Sequence, residues 1–195
     1  MKLRRALSAT AATAALIPVV LAAAPASQAA PAAELPSCNE VGRPADSSLV
    51  GRAFGIPARV GLGEWTTYTA TVSNSSAREL KSFQLQGDLG SYVYNPGEQD
   101  LTKYSDLQYW DTSENAWKTL RKANGDAGGP IPGPKTLKPR ESVHMKLRFR
   151  VHKDLPLDHP YDGHTALQGT FVENYKGTDC QVTGGAGAGF SPPTA

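Results

Sequence analysis

The chain has 195 residues, 20 Lys+Arg against 18 Asp+Glu, and two cysteines, a length that suits a single domain. Lys2, Arg4 and Arg5 cluster at the N-terminus, so beyond them 17 cations face 18 carboxylates and the small positive balance of the whole chain vanishes. Such a chain has no overall field to recruit nucleic acid or an anionic membrane, and neither is expected as a partner.

In chain order, Met1–Ala29 reads as a cleavable signal peptide. Three early positive charges precede a weakly apolar run from Ala6 to Ala24, and Ser27-Gln28-Ala29 supplies small residues for cleavage. The run is Ala/Thr-rich and broken by Pro18, which argues against a retained span. The expectation is a secreted, extracellular protein with no membrane association after cleavage. Arg4-Arg5 leaves the export route, general secretory or twin-arginine, open. Residues 30–48 form a Pro/Ala/Ser-rich, irregular lead-in. Cys38 and Cys180 lie near the two ends of the mature chain, and in an oxidising compartment they are expected to pair.

From Val50 onward, short alternating segments are separated by turn residues. Val50–Ile56 is a first strand. Trp65–Ser73 puts Tyr68, Ala70 and Val72 on one face and Thr67, Thr69 and Thr71 on the other. Asn74-Ser75-Ser76, although it matches a glycosylation sequon, reads as a turn. Leu80–Leu89 directs Phe83, Leu85 and Leu89 inward, and Leu107–Asp111 with Ala116–Leu120 makes a hairpin. Residues 123–134, rich in Gly and Pro, read as a loop. Ser142–Val151 alternates without exception, Val143, Met145, Leu147, Phe149 and Val151 against His144, Lys146, Arg148 and Arg150. On a helix these apolar residues would spread around the whole circumference, so the segment is a half-buried antiparallel strand. Ala166–Val172 and Cys180–Thr183 add two more. The fold class is all-β, an immunoglobulin-like antiparallel β-sandwich of seven to eight strands over residues 49–185, with a Gly/Pro-rich flexible tail over 186–195.

Three segments also carry a resemblance: Thr67–Asn74, the strand from Leu80, and Leu137-Lys138-Pro139-Arg140-Glu141-Ser142 opening the long strand. They resemble the extracellular immunoglobulin-like modules of bacterial secreted and adhesion proteins, of the CARDB-like and NEW3-like kinds. The Tyr109-Trp110…Trp117 hairpin is similar to those of exported actinobacterial proteins of unknown role. The resemblance implies a non-catalytic spacer or binder. The chain departs from the usual Gly-Glu-Ser turn by having Arg140 before Glu141.

Chemistry-bearing patterns are sparse. His144, His152, His159 and His164 fall within 21 positions, and Asp158–His164 is the densest set of potential ligands. Zinc and calcium spacings are missing, so no metal and no cofactor are expected, and a metal-binding protein or hydrolase centred on that loop is the third reading. No nucleophile elbow is present and no catalytic residue is assigned. Tyr92, Tyr94, Tyr104, Tyr109, Trp110 and Trp117 lie within 26 positions. Tyr92, Tyr94, Tyr104 and Trp110 are the candidate ligand-binding residues, because flat aromatic surfaces stack on sugars and are enriched at interfaces. Alternation lets only one of Tyr109 and Trp110 face inward. The first expectation is thus a non-enzymatic module with an interaction or structural role at the cell envelope or in the medium. The second is a carbohydrate-binding module, and the partner is a protein or a cell-wall polysaccharide.

Overall fold

A computed structural model describes residues 35–45, 47–91 and 100–193, all within one compact unit, Glu34–Ala195. The expected signal peptide lies outside the described residues, as do Tyr92 and Tyr94. In chain order the strands are β1 (Leu49–Phe54), β2 (Thr66–Asn74), β3 (Leu80–Lys81), β4 (Gln84–Ser91), β5 (Ser105–Asp111), β6 (Ala116–Leu120), β7 (Gly128–Ile131), β8 (Thr136–Leu137), β9 (Ser142–Val151), β10 (Gly163–Tyr175) and β11 (Thr178–Phe190). A 3-10 turn, Leu101–Tyr104, precedes β5, with the Asp100 side chain accepting from Thr102 N–H.

The fold is the expected all-β antiparallel sandwich. One sheet has the order β1-β2-β9-β5-β6, the other β11-β10-β4-β7, and β3 pairs with β8 as a short ribbon. Alternation decides what goes between the sheets. Tyr68, Ala70 and Val72 of β2, Leu107 of β5, and Leu147, Phe149 and Val151 of β9 meet Leu85 and Leu89 of β4, Leu167 and Phe171 of β10 and Phe190 of β11. Phe149 contacts Tyr68 edge-on at 6.1 Å and Phe190 at 4.5 Å between ring centroids. Burial pushes the Tyr68 phenol well above its usual pKa. It bonds Thr165 across the core at 2.8 Å, and since the Thr165 hydroxyl donates to the Asp88 carbonyl, Tyr68 is the donor.

More strands exist than the seven to eight segments that alternation marks out: Leu80–Leu89, expected as one strand, breaks at Ser82, with φ 51°, into β3 and β4 in different sheets, and β7 and β8 are too short to show a period. Residues 128–131 were expected as loop and pair instead with β4. Gly128 and Gly129 take φ of 128° and 137° there, and Pro130, with no N–H to donate, is accommodated because β7 is an edge strand.

The Gly/Pro-rich tail needs a larger correction. β11 runs to Phe190, past the boundary at Gly185, and pairs with β10 over its whole length. Its glycines serve close approach, not flexibility. β1 packs against β11, and a Cβ on Gly51 would overlap the backbone of Gly185 and Ala186, while one on Gly184 would strike Leu49. The β10–β11 hairpin closes through Lys176 and Gly177, both with positive φ, which matches the twist of the strands.

The N-terminal lead-in is stitched to the same strand. Cys38 N–H donates to Gln181 O, Gln181 N–H donates to Pro36 O, and Cys38 and Cys180 form a disulfide across 142 positions. In the chain-entropy model a loop of that length stabilises by about 5 kcal/mol. The turn after β2 is organised by Asn74, which is 1% exposed and whose Nδ2 donates to the carbonyls of Arg78, Leu137 and Lys138. That amide is not available as a glycosylation acceptor in the folded chain. Arg140, the residue that departs from the Gly-Glu-Ser turn, has φ 63°, in the left-handed region that favours glycine.

Two substitutions should therefore move stability in opposite directions. Gly51→Ala is expected to cost about 2–3 kcal/mol by overpacking against β11, and Arg140→Gly to gain about 1 kcal/mol by relieving the left-handed residue. Thermal unfolding of both variants beside the parent checks the signs.

Candidate functional site

The register of the five-stranded sheet lines its outward side chains into rows. Thr66 pairs with Phe149, Asp106 with Arg150, Gln108 with Arg148, and Trp110 with Trp117. Alternation then sends Trp65, just before β2, to the Arg150 level. Arg148 lies at the level of Thr67, Gln108 and Thr119, and Lys146 beside Thr69. At the edge, β1 adds Phe54, Arg52 and Val50, with Phe54 63% exposed. All three tryptophans of the chain thus stand on the outer face of one sheet, half-buried among cations from β9.

The contacts are close. Arg148 lies 4.2 Å from the Trp65 ring centroid and 4.3 Å from that of Trp117, and Arg150 lies 4.7 Å from Trp65. Lys146 sits 5.9 Å from Trp110 and 5.7 Å from Trp117, and the two indoles meet edge-on at 5.3 Å. Cation–π contacts of this kind stabilise by about 0.5–1 kcal/mol each when exposed. Burial and the neighbouring Arg150 lower the pKa of the Arg148 guanidinium, which still stays protonated at physiological pH. Its Nε donates to Gln108 Oε1 at 2.8 Å, and Gln108 donates in turn to Thr119.

Asp106 is the one carboxylate among the described outward positions of these five strands. Arg150 reaches it at 2.6 Å, His152 at 3.0 Å, and Arg121 completes the set. Burial alone would raise the Asp106 pKa, but the bonds from Arg150 and His152 and the charges of His152 and Arg121 hold it below the usual carboxylate range.

Where β5 ends, its hairpin with β6 leaves β9, and a cleft of about 580 Å³ opens, lined by Trp110, Thr69, His144, Lys146, Ser113 and Pro132. A second groove of about 560 Å³ runs over Phe54, Arg52 and Thr71 and also reaches His144. Both grooves border this one face.

The structure separates the residues that sequence reasoning grouped. Trp110 is outward and joins the face, whereas Tyr109 is buried. Tyr104 stands at the opposite end of β5, roughly 20 Å away at the rise of an extended strand, and packs partly against the core. Trp65 was missed as a site residue. Its signal was parity, since it shares the outward register of Thr67 and Thr69.

The Asp158–His164 loop does not gather its ligands. His159 bonds Asp158 at 2.8 Å and stacks on Tyr161, while His164 turns to Asp88 on β4. His144 bonds Thr71 and His152 bonds Asp106. Among the described residues no group of three or more His, Cys, Asp or Glu side chains converges. Two other ion clusters tie elements together. Asp88, held at about 2 by His164 and Lys122 against the effect of its burial, links β4 to β10, and Glu173 accepts from Arg43 and Arg78.

No family model matches the chain, and no curated protein matches it. Several solved structures are similar to it at low identity. AvmM, which catalyzes macrocyclization in alchivemycin A biosynthesis, is 15% identical with a TM-score of 0.52, covering 77% of this chain and 92% of AvmM. The reeler domain of human F-spondin is 15% identical at a TM-score of 0.39, covering 77% of this chain and 93% of the domain. A CARDB domain from Pyrococcus furiosus is 13% identical at 0.32, covering 71% and 94% respectively. At 15% identity the likeness to AvmM is one of fold alone, which does not assign a role.

Asp106 makes the site pH-sensitive. A carboxyl whose folded pKa is depressed stabilises the fold above its ordinary value of about 3.9, and that contribution disappears as pH falls through the lower folded value. The parent should therefore exceed Asp106→Asn in stability at pH 6, with the gap narrowing at pH 2. Urea unfolding midpoints at the two pH values measure it.

Proposed function

We propose that this chain is an exported, non-catalytic binding module that engages carbohydrate through the outer face of its five-stranded sheet. The observation that carries the reading is the placement of Trp65, Trp110 and Trp117. Burying an indole between the sheets would stabilise the fold by about 2–3 kcal/mol, yet the core is filled by Tyr68, Phe83, Phe149 and leucines, and the tryptophans are spread over a face that water reaches. Large, rigid rings with a polar edge are suited to stacking on sugar rings while hydrogen-bonding their hydroxyls. Thr67, Thr69 and Thr119 add hydroxyls at neighbouring outward positions.

A non-catalytic role fits the chemistry of the cleft. Glycoside cleavage needs two carboxyl groups, and Asp111 is the one carboxylate among the described residues lining it. Asp111 is occupied by the N–H groups of Ser113 and Glu114 and by the Ser113 hydroxyl. Export is supported by the leader pattern together with the disulfide, which persists in oxidising compartments. No described helix is long and apolar enough to cross a membrane. The sequence resemblance to extracellular bacterial modules points the same way.

Sedimentation with insoluble cell-wall polysaccharides tests the binding role. The parent should be retained, and a Trp110→Ala/Trp117→Ala double variant should lose about tenfold or more in affinity while its unfolding midpoint shows that it remains folded. Retention of the parent by no polysaccharide, or equal retention of parent and variant, would refute it. Export is tested separately by intact mass of protein recovered from culture medium, which should begin at Ala30 and lack two hydrogens for the disulfide.

A further inference from the structure

The fold sorts charge in a way that composition conceals. The outward positions of the five-stranded sheet, with Arg121 flanking β6, carry Arg52, Arg121, Lys146, Arg148 and Arg150 against the single carboxylate of Asp106. Lys146, Arg148 and Arg150 follow one another at alternate positions of β9, about 7 Å apart at the rise of an extended strand. That spacing lies within a Debye length at physiological salt, so the three charges repel one another. A sheet face that served stability alone would set carboxylates on the neighbouring strands. Here the cross-strand neighbours of Arg148 are Thr67 and Gln108, and that of Lys146 on β2 is Thr69, all neutral. Among the described residues, no carboxylate is in ion-pair reach of Arg52, Lys146 or Arg148.

From this we infer that the ligand is an anionic polysaccharide, a glycan whose repeating rings carry carboxylate or phosphate groups, laid along β9. This rests on the reading of the face as carbohydrate-binding and specifies what it selects. The cations form a central line, with Trp65 on the β2 side and Trp110 and Trp117 on the β5–β6 side. A linear glycan on that line can set its anionic groups on the cations and its rings against the indoles. Arg148 is built for this. Its guanidinium is held between two indoles and its Nε is satisfied by Gln108, so both Nη groups lack a partner among the described residues. A fork flanked by two rings in this way accepts two oxygens of a carboxylate or phosphate at reduced entropic cost. Asp106 steadies Arg150 and Arg121 from the side without touching Lys146 or Arg148. At the far end of the row, the cleft bounded by Trp110, Lys146 and His144 offers room for a terminal ring. The Thr67, Thr69 and Thr119 hydroxyls favour a hydroxyl-rich polymer over a nucleic acid.

Glycans matched in backbone and differing in charge decide the matter. Binding of the mature protein would be measured by affinity electrophoresis on polygalacturonate against its fully methyl-esterified form, on phosphorylated dextran against dextran, and on single-stranded DNA. The expected result is at least about tenfold tighter retention by the charged member of at least one pair than by its neutral partner. The two pairs distinguish carboxylate from phosphate as the anionic group. Lys146→Gln, which removes an exposed charge with no ion pair, should weaken that retention about fivefold, as should Arg148→Gln. Raising salt from 50 to 500 mM should erase the difference within the pair. Equal retention by charged and neutral members would overturn the inference while leaving carbohydrate binding intact. Tighter binding to DNA than to every glycan would also overturn it, and retention by no glycan of either pair would remove the carbohydrate reading as well.

Discussion

β9 is the element on which the rest of the molecule depends. It is the middle strand of the five-stranded sheet, bonded to β2 on one side and β5 on the other. Because successive side chains must point to opposite faces, one ten-residue segment supplies both the core and the candidate site. Leu147, Phe149 and Val151 are buried between the sheets, and Lys146, Arg148 and Arg150 are presented to water. A slip of one residue in its pairing would exchange the two sets and put three cations into the core. The apolar half of β9 therefore fixes the register that its basic half needs. The indoles of Trp65 and Trp117 reach Arg148 only when that register holds.

Closure of the sandwich follows a different constraint. β1 and β11 are edge strands of opposite sheets, and their backbones approach so closely that side chains at Gly51 or Gly184 would collide with the facing chain. Glycine costs conformational entropy in a strand interior, and here that cost is offset by the packing of two edges that would otherwise be open to other chains. The disulfide secures the same strand from its other end, holding the lead-in at Cys38 against β11 at Cys180. Both devices act on the inner side of β1 and along β11, away from the outer face of the five-stranded sheet.

The balance of charges follows from this separation. A chain with nearly equal numbers of acids and bases carries its carboxylates largely at turns and in ion clusters, as with Glu173 between Arg43 and Arg78 or Asp88 between His164 and Lys122. The cations of β9 are left to gather on one surface with Asp106 alone to temper them. Near-neutrality overall thus coexists with a local basic face, because net charge sums over the chain and the fold decides where each charge stands.

Alternation by itself determined the fold class, the inward residues of β2, β4 and β9, and the β5–β6 hairpin, since a period of two is a property of neighbours in sequence. The disulfide followed from compartment and count. Parity also required that one of Tyr109 and Trp110 face out. Other features depend on which strands become neighbours, and that was invisible in one dimension. Trp65 and Trp117 are 52 positions apart, yet both sit against Arg148 because β2 and the β5–β6 pair flank β9. The segment from residue 186 onward looked like a loose tail because nothing local says that β11 continues there and pairs with β10 as far as Phe190. The histidines looked like a cluster because they are close in sequence, but strands alternate and turns diverge, so each side chain found its own partner. The sequence alone decided which side of each strand is wet, and the tertiary pairing alone decided which wet side chains stand together.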